Sequence, residues 1–544
     1  MKTTKIILVS LVMISLFGIH QLANAQSTNE ASSIASIQWQ KSWGGFDMPP
    51  NYPSYLGYCI RQTSEGGYIV AGYTDDQITG DVNADHGNYF DYWIAKLNVA
   101  GTIQWQKRLG GFGEDMARSI MQTSDGGYIV AGSTNSTDGD VTGSHGFQDY
   151  WIVKLSSTGI IEWQKDLGGS NDDYASSVQQ TADGGYIIAG SSESVDGDIT
   201  GAHGNRDFWI VKLNDIGTIQ WQKTLGGSAY DSANSIQQTT DGGYIVSGFT
   251  ASTNGDITGY HGNGDYWIVK LNAVGTIQWQ KALGGSLYDT ANSIRQTADD
   301  GYIVAGEAVS SDGDVTGHHG TSSDYWIVKL NAAGTIQWQK ALGGSNNDIA
   351  TAVQQTADGG FVIAGFADSI DGDVVSTDTV VYDYDYWIVK LTAAGIIQAQ
   401  ELLGNFSGEY DDDWTQDIQQ TSDGGFILIG FTPTQFATPS ASTVVKLNAG
   451  SLSNPDFQLE NSIRVYPNPI TISATISFSL TQTQKVAVNI YDLTGKLVEA
   501  LADEEMQQGS HQLEWNVSDV STGIYIMKIE VDNYNEAMKL LVNR

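Results

Sequence analysis

A repeated unit runs along most of this chain and constrains its fold more than any other feature. One copy contains TIQWQKxLGGSxxDxAxSIQQTxDGGYIVAG followed by SxDGDVTGxHGxxDYWIVKLNxxG. The tryptophan of the IQWQK element, spaced 58 residues apart in the middle copies, falls at Trp39, Trp105, Trp163, Trp221, Trp279 and Trp338. Ala399 takes its place in the seventh copy. Seven copies indicate a repeat architecture in which each copy is one supersecondary element.

Each copy contains four strand-like segments. SIQQT and YIVAG flank an Asp-Gly-Gly turn, and DYWIVKL and TIQWQK flank an Asn-x-x-Gly turn, so each copy has two hairpin signals. Trp151, Val153 and Leu155 alternate with Ile152 and Lys154, which is the period of a strand. The pattern predicts an all-β fold, a seven-bladed β-propeller with four antiparallel strands per blade.

The phase of the repeat supports a closed ring. The array begins with an IQWQK strand (Ile37–Lys41) and ends with a strand of the WIVKL type (Thr443–Leu447). The last copy therefore lacks its fourth strand while the N-terminal side has one to spare. Pairing the two would close the ring and leave no open edge between the ends. A β-solenoid or a different number of blades is the alternative.

The charge balance excludes several classes of partner. The chain has 26 basic and 62 acidic side chains, a formal net charge of −36 and a pI near 4.2. This argues against nucleic acid, which requires clustered Lys and Arg, and against anionic membrane surfaces. The single cysteine, Cys59, excludes a disulfide framework and a Cys-rich zinc site.

The N-terminal segment has the features of a secretory signal peptide. Lys2 and Lys5 precede an apolar run from Ile6 to Ile19, and Ala23-Asn24-Ala25 forms a small-residue cleavage site. The apolar run is too short to span a bilayer, and no later segment reaches 18 apolar residues. We therefore expect residues 1–25 to be removed on export and the mature chain to have no transmembrane segment.

The long loops and the blade-to-blade connections should share one face, since the tight turns alternate with them along a meander. In five copies the long loop offers two carboxylates and an imidazole, ligands for calcium or for another divalent cation. Alternatively, Asp-Gly-Asp forms Asx turns and the histidine bonds a neighbouring loop, and repetition in five blades favours that structural role. No cofactor is required. The candidate metal sets are Asp140, His145 and Asp149; Asp198, His203 and Asp207; Asp256, His261 and Asp265; and the matching Asp314, His319 and Asp324 and Asp81, His86 and Asp91.

Departures from the repeat in copies six, seven and one indicate a ligand site, because these copies are neighbours in a closed ring. Tyr and Trp beside carboxylates suit stacking on a sugar with hydrogen bonds to its hydroxyls, or a cationic partner. Alternatively, terminal copies differ only because they shield the closure seam. The candidate ligand-binding residues are Tyr52, Tyr55, Tyr382, Asp383, Tyr384, Asp385, Tyr410, Asp412 and Trp414.

No catalytic residue is assigned by the sequence. GxSxG, HExxH and P-loop patterns are absent from it. Carboxylate pairs are abundant, so a glycosidase-like pair is neither selected nor excluded. A polysaccharide-active hydrolase or lyase is thus the alternative to a binding role, and a purely structural surface protein is a third.

The repeat stops after Leu447, and alternating segments separated by turns from about Ile463 predict a small β-sandwich. This part resembles the type A C-terminal sorting domain of type IX secretion substrates of Bacteroidetes. The resemblance rests on four spaced motifs: Tyr466-Pro467-Asn468-Pro469, the Ile490-Tyr491-Asp492 to Gly495-Lys496 hairpin, Gly523-Ile524-Tyr525, and Lys539-Leu540-Leu541-Val542. The resemblance implies export by the type IX machinery, removal of the domain by a sortase, and attachment of the cargo to surface lipopolysaccharide.

We therefore expect a signal peptide (1–25), a propeller (26–450), a linker (451–462) and a sorting domain (463–544). The repeats resemble uncharacterised DGGYIVAG/DYWIVKL propellers that accompany such domains, and that resemblance implies no activity. The expected function is a secreted or surface-displayed binding or adhesion module that reaches the outer cell surface through the periplasm. Its ligand would be a glycan or a surface protein held on the long-loop face.

Overall fold

A computed structural model describes residues 37–44, 54–75, 89–375, 384–404, 412–432, 441–448, 452, 464–480, 483–493, 495–507, 509–531 and 534–543. The predicted signal peptide lies outside these residues. Every named element within them is a β-strand, and no helix there is long and apolar enough to cross a membrane. The strands are β1 (Ile37–Trp43), β2 (Tyr55–Gln62), β3 (Tyr68–Thr74), β4 (Asp91–Leu97), β5 (Ile103–Leu109), β6 (Asp115–Gln122), β7 (Tyr128–Thr134), β8 (Asp149–Leu155), β9 (Ile161–Leu167), β10 (Asp173–Gln180), β11 (Tyr186–Ser192), β12 (Asp207–Leu213), β13 (Ile219–Leu225), β14 (Asp231–Gln238), β15 (Tyr244–Thr250), β16 (Asp265–Leu271), β17 (Ile277–Leu283), β18 (Asp289–Gln296), β19 (Tyr302–Ala308), β20 (Asp324–Leu330), β21 (Ile336–Leu342), β22 (Asp348–Gln355), β23 (Phe361–Ala367), β24 (Asp385–Leu391), β25 (Ile397–Leu403), β26 (Trp414–Gln420), β27 (Phe426–Thr432), β28 (Ala441–Leu447), β29 (Arg464–Tyr466), β30 (Ser473–Leu480), β31 (Gln484–Asp492), β32 (Leu497–Met506), β33 (Gly509–Asn516), β34 (Gly523–Val531) and β35 (Tyr534–Val542).

The first 28 strands form seven four-stranded antiparallel sheets, as the repeat predicts. Blades one to six are β2–β5, β6–β9, β10–β13, β14–β17, β18–β21 and β22–β25. Blade seven has the order β1-β28-β27-β26, so the N-terminal strand supplies its outer edge. Gln40 lies opposite Val445 and Trp43 opposite Ser442 in this closing pair. The predicted all-β fold and its closure by the N-terminal strand are confirmed.

The first strand of each blade faces the centre of the ring. β2 contacts β6, β6 contacts β10, and the series continues through β14, β18, β22 and β26 back to β2. These innermost strands therefore enclose a central channel. The TIQWQK strands lie at the outer edges of the blades.

Repeated aromatic residues join neighbouring blades. The rings of Tyr92 in blade one and Trp151 in blade two have centroids 4.5 Å apart, and Tyr92 Oη donates to the Trp151 carbonyl at 2.9 Å. The outer-strand Trp39 lies on a turn of the next blade, where a Cβ at Gly101 would be 2.7 Å from the indole ring. Gly101 also has a φ of +74°, so both the close approach and the backbone conformation favour glycine there.

The tight turns form one rim, called here the turn rim, and the lysine of each WIVKL-type strand is buried beneath it. Each lysine pairs with the carboxylate of the adjoining turn, which explains a charged residue in an otherwise apolar strand. The pairs are Lys96–Glu65, Lys154–Asp125, Lys212–Asp183, Lys270–Asp241, Lys329–Asp299, Lys390–Asp358 and Lys446–Asp423.

The C-terminal part forms two sheets, β29-β30-β33 and β32-β31-β34-β35. They share a core that contains the fully buried Trp515, Ile490 and Met527. The predicted hairpin is present, with Asp492 N donating to Lys496 O at 3.0 Å across a turn that contains Gly495. This part is the small sandwich that its sequence indicates.

Candidate functional site

A β-bulge in the innermost strand of every blade turns one extra residue into the channel. In β2 the register with β3 shifts between Gly57 and Cys59, and the same shift recurs in the other six inner strands. Bulges of this kind re-aim a side chain. The seven bulged residues all line one cavity, and they are Tyr58, Arg118, Ser176, Asn234, Asn292, Thr351 and Gln416.

This cavity has a volume of about 600 Å³ and occupies the channel at the end where the inner strands begin. The inner strands begin after the blade-to-blade connections, so the cavity opens toward the long-loop rim. Small polar residues such as Ser119, Ser177 and Ser235 line its wall. Arg61 and Arg295 also line it, two residues farther along their strands than the positions equivalent to these serines. The framework residues repeat while the bulged residues differ, which is the pattern of a scaffold that presents a variable site.

Arginine is concentrated at this cavity. The propeller contains five arginines, and every one except Arg108 lines the cavity, although the chain has 62 acidic side chains. The one carboxylate among the lining residues is Asp417, which forms an ion pair with Arg61. The cavity is therefore a cationic site within a strongly acidic protein.

Two of these arginines have no ion-pair partner among the described residues, namely Arg118 and Arg295. The Arg118 guanidinium lies 4.1 Å from the centre of the Tyr58 ring. Arg295 Nη1 donates to Ser235 Oγ at 3.1 Å and to the Ile294 carbonyl at 2.7 Å. Burial, and then the nearby charge of Arg61, lower the pKa of Arg295 to about 10. Both guanidinium groups line the cavity.

Aromatic side chains of blades six, seven and one form a continuous row beside the cavity, called here the aromatic row. Phe366 stacks on Trp414 with centroids 5.6 Å apart, and Tyr384 lies edge-on to both rings. Trp414 contacts Phe431, whose ring is 5.6 Å from that of Tyr58. The row continues to Tyr73, which stacks on Tyr58 at 5.3 Å. Ring closure thus brings Tyr384 and Trp414 close to residues of blade one.

The other predicted ligand-binding residues have different positions. Tyr55 is buried, with its ring 4.9 Å from that of Trp93, so we leave it out of the candidate site. Asp385 is the first residue of β24 and lies at the long-loop end of that strand. Asp412 is half-buried, and burial raises its pKa. Tyr52, Tyr382, Asp383 and Tyr410 lie outside the described residues.

The Asp-His-Asp sets of the long loops are divided between two blade junctions. Asp140 accepts from Gly110 N of the preceding connection at 3.3 Å, whereas His145 N donates to Asp149 Oδ2 at 2.8 Å. The equivalent of Asp140 in the next copy, Asp198, comes within 4.0 Å of His145 Nε2. Each histidine therefore lies between its own final aspartate and the Asp-Gly-Asp loop of the following blade.

The same division is found in the other described sets. Asp198 and Asp256 lie beside the preceding connections, with Gly168 N and Gly226 N at 3.3 and 3.2 Å. His203 N donates to Asp207 at 2.6 Å, and His261 Nδ1 lies 3.0 Å from Asp265. His319 lies 3.1 Å from Asp324 and 3.6 Å from Asp373, the loop aspartate of blade six. Because a blade meets two neighbours, residues adjacent in sequence face different junctions. The Asp81 and His86 of copy one lie outside the described residues.

Five of the junctions, from that of blades one and two to that of blades five and six, also bury a pair of carboxyl groups, one from the start of the third strand and one from the start of the next blade. Asp149 and Asp173 form such a pair, and a Cβ on Gly168 between them would be 1.9 and 2.9 Å from their oxygens. Burial raises the pKa of both carboxyls, that of Asp173 to about 6. Since similar pairs recur around the ring, they do not mark one catalytic centre.

The candidate residues chosen from the sequence do not include the bulged residues. They also do not include Phe366, Phe431 or Asp166. Their signal is variation at a fixed position of the repeat: the residue after YIVAG is Tyr73, Ser133, Ser191, Phe249, Glu307, Phe366 and Phe431 in successive copies. Aligning the seven copies and marking the varied positions would have found them. The alignment would not have shown that a β-bulge turns the bulged side chains into the channel.

Residues 464–543 match the family model of the secretion system C-terminal sorting domain. The predicted sorting domain and the predicted export to the cell surface or exterior are thereby confirmed. The domain implies that the type IX machinery is a partner of this chain. A search of the curated proteins found no match.

Solved structures with similar architecture include PorZ, an essential bacterial surface component of the type-IX secretion system of Porphyromonas gingivalis. It is 12% identical, with a TM-score of 0.34, over 90% of this chain and 59% of PorZ, so the match spans less than two thirds of PorZ. A mutant α-L-arabinofuranosidase of Fusarium graminearum is 10% identical, with a TM-score of 0.34, over 76% of this chain and 98% of the enzyme. A family 43 arabinoxylan arabinofuranohydrolase of Bacillus subtilis is 12% identical, with a TM-score of 0.28, over 80% of this chain and 96% of the enzyme. Likeness at this level says nothing about ligand or activity.

Proposed function

We propose that this chain is an exported binding module that holds an acidic glycan in the channel cavity at the long-loop rim. The observation that carries the proposal is the set of four arginines, two of them without ion-pair partners among the described residues, in the cavity of a protein with net charge −36. A carboxylated or sulfated sugar supplies the missing negative charge. Charge-assisted hydrogen bonds of this kind are among the stronger polar interactions.

The aromatic row explains why a glycan fits better than a simple anion. Phe366 lines the cavity, and Trp414 and Tyr384 pack against its ring, so the row adds apolar aromatic surface for a sugar ring at this wall. The bulged Asn234 and Asn292 line the opposite wall, where each Nδ2 donates to a carbonyl of the next blade at 2.9 Å and has a second N–H that suits a sugar hydroxyl. A site that combines apolar surface with a few converging polar groups is typical of small-ligand and oligosaccharide pockets.

A hydrolase receives less support from the same cavity. Glycoside hydrolysis commonly uses two carboxyl groups that flank the scissile bond. Among the described lining residues Asp417 is the one carboxylate, and it is paired with Arg61. The sorting domain then serves delivery, with removal by a sortase and attachment at the cell surface as the expected final steps.

A glycan array probed with the full chain tests the proposal, with carboxylated and sulfated glycans set against their neutral counterparts. We expect binding to the acidic glycans, weakened by salt. Arg118→Ser and Arg295→Gln introduce residues that the chain itself uses at equivalent positions, Ser176 and Gln237, so the fold should be kept. Each variant should lower affinity by about 10- to 100-fold, the range for a lost charge-assisted hydrogen bond.

Lys485→Gln is the matched control, because it removes one positive charge from an exposed ion pair in the C-terminal sandwich. It should leave binding unchanged. Trp414→Ala should weaken binding to glycans but not retention of a small carboxylate. Equal binding of neutral and acidic glycans, or unchanged affinity in both arginine variants, would overturn the proposal. Release of shortened products from a bound glycan would favour the hydrolase instead.

A further inference from the structure

The junction between blades two and three contains a group of metal-ligating side chains that differs from those of the other junctions. His145 of the long loop, Asp149 of β8 and Asp166 of β9 each offer one ligand atom, and these atoms lie within 4.8 Å of one another. Asp198 of the next long loop lies 4.0 Å from His145 Nε2. Among the described residues this is the one group of three or more such side chains at that spacing.

Three oxygens of the Asp149 and Asp166 carboxyl groups are buried without a hydrogen-bond partner, although Asp149 Oδ2 accepts from the His145 and Gly146 amides at 2.8 and 3.2 Å. Asp149 is 0% exposed and Asp166 is 7% exposed. Asp149 Oδ1 and both oxygens of Asp166 accept no hydrogen bond from any described residue. Burying an unpaired carboxylate is strongly unfavourable, so the junction requires either a cation or a proton.

The equivalent position in the neighbouring blade holds a cation that the chain itself supplies. In β5 this position is Arg108, which forms an ion pair with the buried Asp91, the counterpart of Asp149. In blades three to five the position is Thr224, Ala282 and Ala341, none of which adds a charge. Blade two instead adds a third carboxyl group where blade one adds a guanidinium. The substitution removes the built-in cation and supplies a ligand for an external one.

We propose that the junction of blades two and three binds one divalent transition-metal cation through His145, Asp149 and Asp166. Imidazole with carboxylates suits zinc and similar ions, whereas calcium takes oxygen ligands almost alone. The imidazole of His145 is about one-third exposed, which leaves the junction accessible to a cation from solvent. The bound ion would cross-link the long loop of blade two to strands β8 and β9.

Calorimetric titration of the untagged full chain, first treated with a chelator, tests this site with zinc alone as the probe. We expect one zinc ion per chain and a rise in melting temperature on binding. The variant Asp166→Ala should lose this binding, and it places the residue found at Ala282 and Ala341, so folding should be retained.

Thr224→Ala in the next junction is the matched control and should leave zinc stoichiometry at one. His145→Gln should weaken zinc binding without altering the fold. Absence of zinc binding by the parent chain, or unchanged binding by Asp166→Ala, would overturn the proposal. Stabilisation by calcium but not by zinc would overturn the assigned class of metal. Stabilisation by acid with no response to zinc would identify a shared proton as the occupant instead.

Discussion

Asp300 occupies a backbone position that the other described copies of the repeat give to glycine. Its φ is +60°, and it is the one non-glycine residue with positive φ in the described part of the chain. The equivalent residues, all with φ between +79° and +86°, are Gly66, Gly126, Gly184, Gly242, Gly359 and Gly424. A side chain in this left-handed conformation is strained, although aspartate tolerates it better than most residues.

Asp300→Gly should therefore stabilise the propeller by about 0.5–1 kcal/mol, with part of the gain offset by the greater freedom of glycine in the unfolded chain. One exposed hydrogen bond from Thr240 Oγ1 to Asp300 Oδ1 would be lost. Urea unfolding of the full chain measures the change. Gly359→Asp in blade six is the reciprocal control and should destabilise by a similar amount. If Asp300→Gly is no more stable than the parent chain, the inference that Asp300 is strained is wrong.

Residue-level prediction succeeded where a side chain repeats and failed where the backbone departs from regularity. Trp151 and Val153 alternate as a strand requires, and the structure buries both residues. Arg118 lies in an equally regular sequence, but the bulge between Ala117 and Ser119 breaks the alternation and turns Arg118 into the channel. A bulge is a property of paired strands, so its effect on direction is not written in the sequence of one strand.

At the scale of the element, the Tyr-Pro-Asn-Pro motif has a definite task in the C-terminal sandwich. Asn468 Nδ2 donates to the Lys539 carbonyl at 3.0 Å, and Leu541 N donates to Asn468 Oδ1 at 2.9 Å. The side-chain amide thus pairs with the outer side of β35 as a neighbouring strand would. Two of the motifs that carry the resemblance are therefore in contact in the folded domain. They are Tyr466-Pro467-Asn468-Pro469 and the terminal Lys539-Leu540-Leu541-Val542.

Asn468→Ala should loosen β35 by about 1–3 kcal/mol, the sum of two ordinary hydrogen bonds. Hydrogen exchange of the full chain, followed by mass spectrometry of the peptide that covers β35, measures the change. Asn468→Asp keeps the acceptor for Leu541 N but loses the donor to Lys539, so we expect an intermediate effect. Uniform protection in all three proteins would show that Asn468 does not hold β35.

The order of elements could be predicted because the tight turns and the missing fourth strand are both visible in the sequence. The division of the long loops could not be predicted in the same way. Asp140 and His145 are five residues apart, yet Asp140 bonds the connection before its blade and His145 lies toward Asp198 of the next blade. Which neighbour a loop residue meets depends on packing between blades, and the repeat pattern does not record it.

Across the whole molecule, the two rims hold their carboxyl groups in opposite ways. On the turn rim, burial is outweighed by hydrogen bonds from threonine and lysine, which lower the pKa of Asp125, Asp241 and Asp299 to about 2. At the blade junctions burial dominates. It raises the pKa of Asp91 to about 9 despite Arg108, and that of Asp348 to about 7. The two rims should therefore respond to pH in opposite directions.

The cation-free chain should be most stable near pH 4–5. An unfolded aspartate has a pKa of about 3.9, so between pH 4 and 9 the folded junctions bind more protons than the unfolded chain does. The contribution of the junction carboxyl groups to folding stability is fully present below pH 4 and is lost as the pH rises through 6 to 9. Below pH 4 the turn-rim carboxylates become protonated in the unfolded chain first, so their contribution falls as the pH approaches 2.

Melting temperatures of the full chain from pH 3 to 9, measured with a chelator at constant ionic strength, give the test. We expect a maximum near pH 4–5 and a steady fall toward pH 9. Asp166→Ala should flatten the alkaline part of the curve, since burial and Asp149 raise the pKa of Asp166 to about 8. Lys485→Gln, which changes an exposed charge, should leave the curve unaltered. A melting temperature that rises from pH 5 to 9 would mean that the junction carboxylates are ionised and compensated in the folded protein.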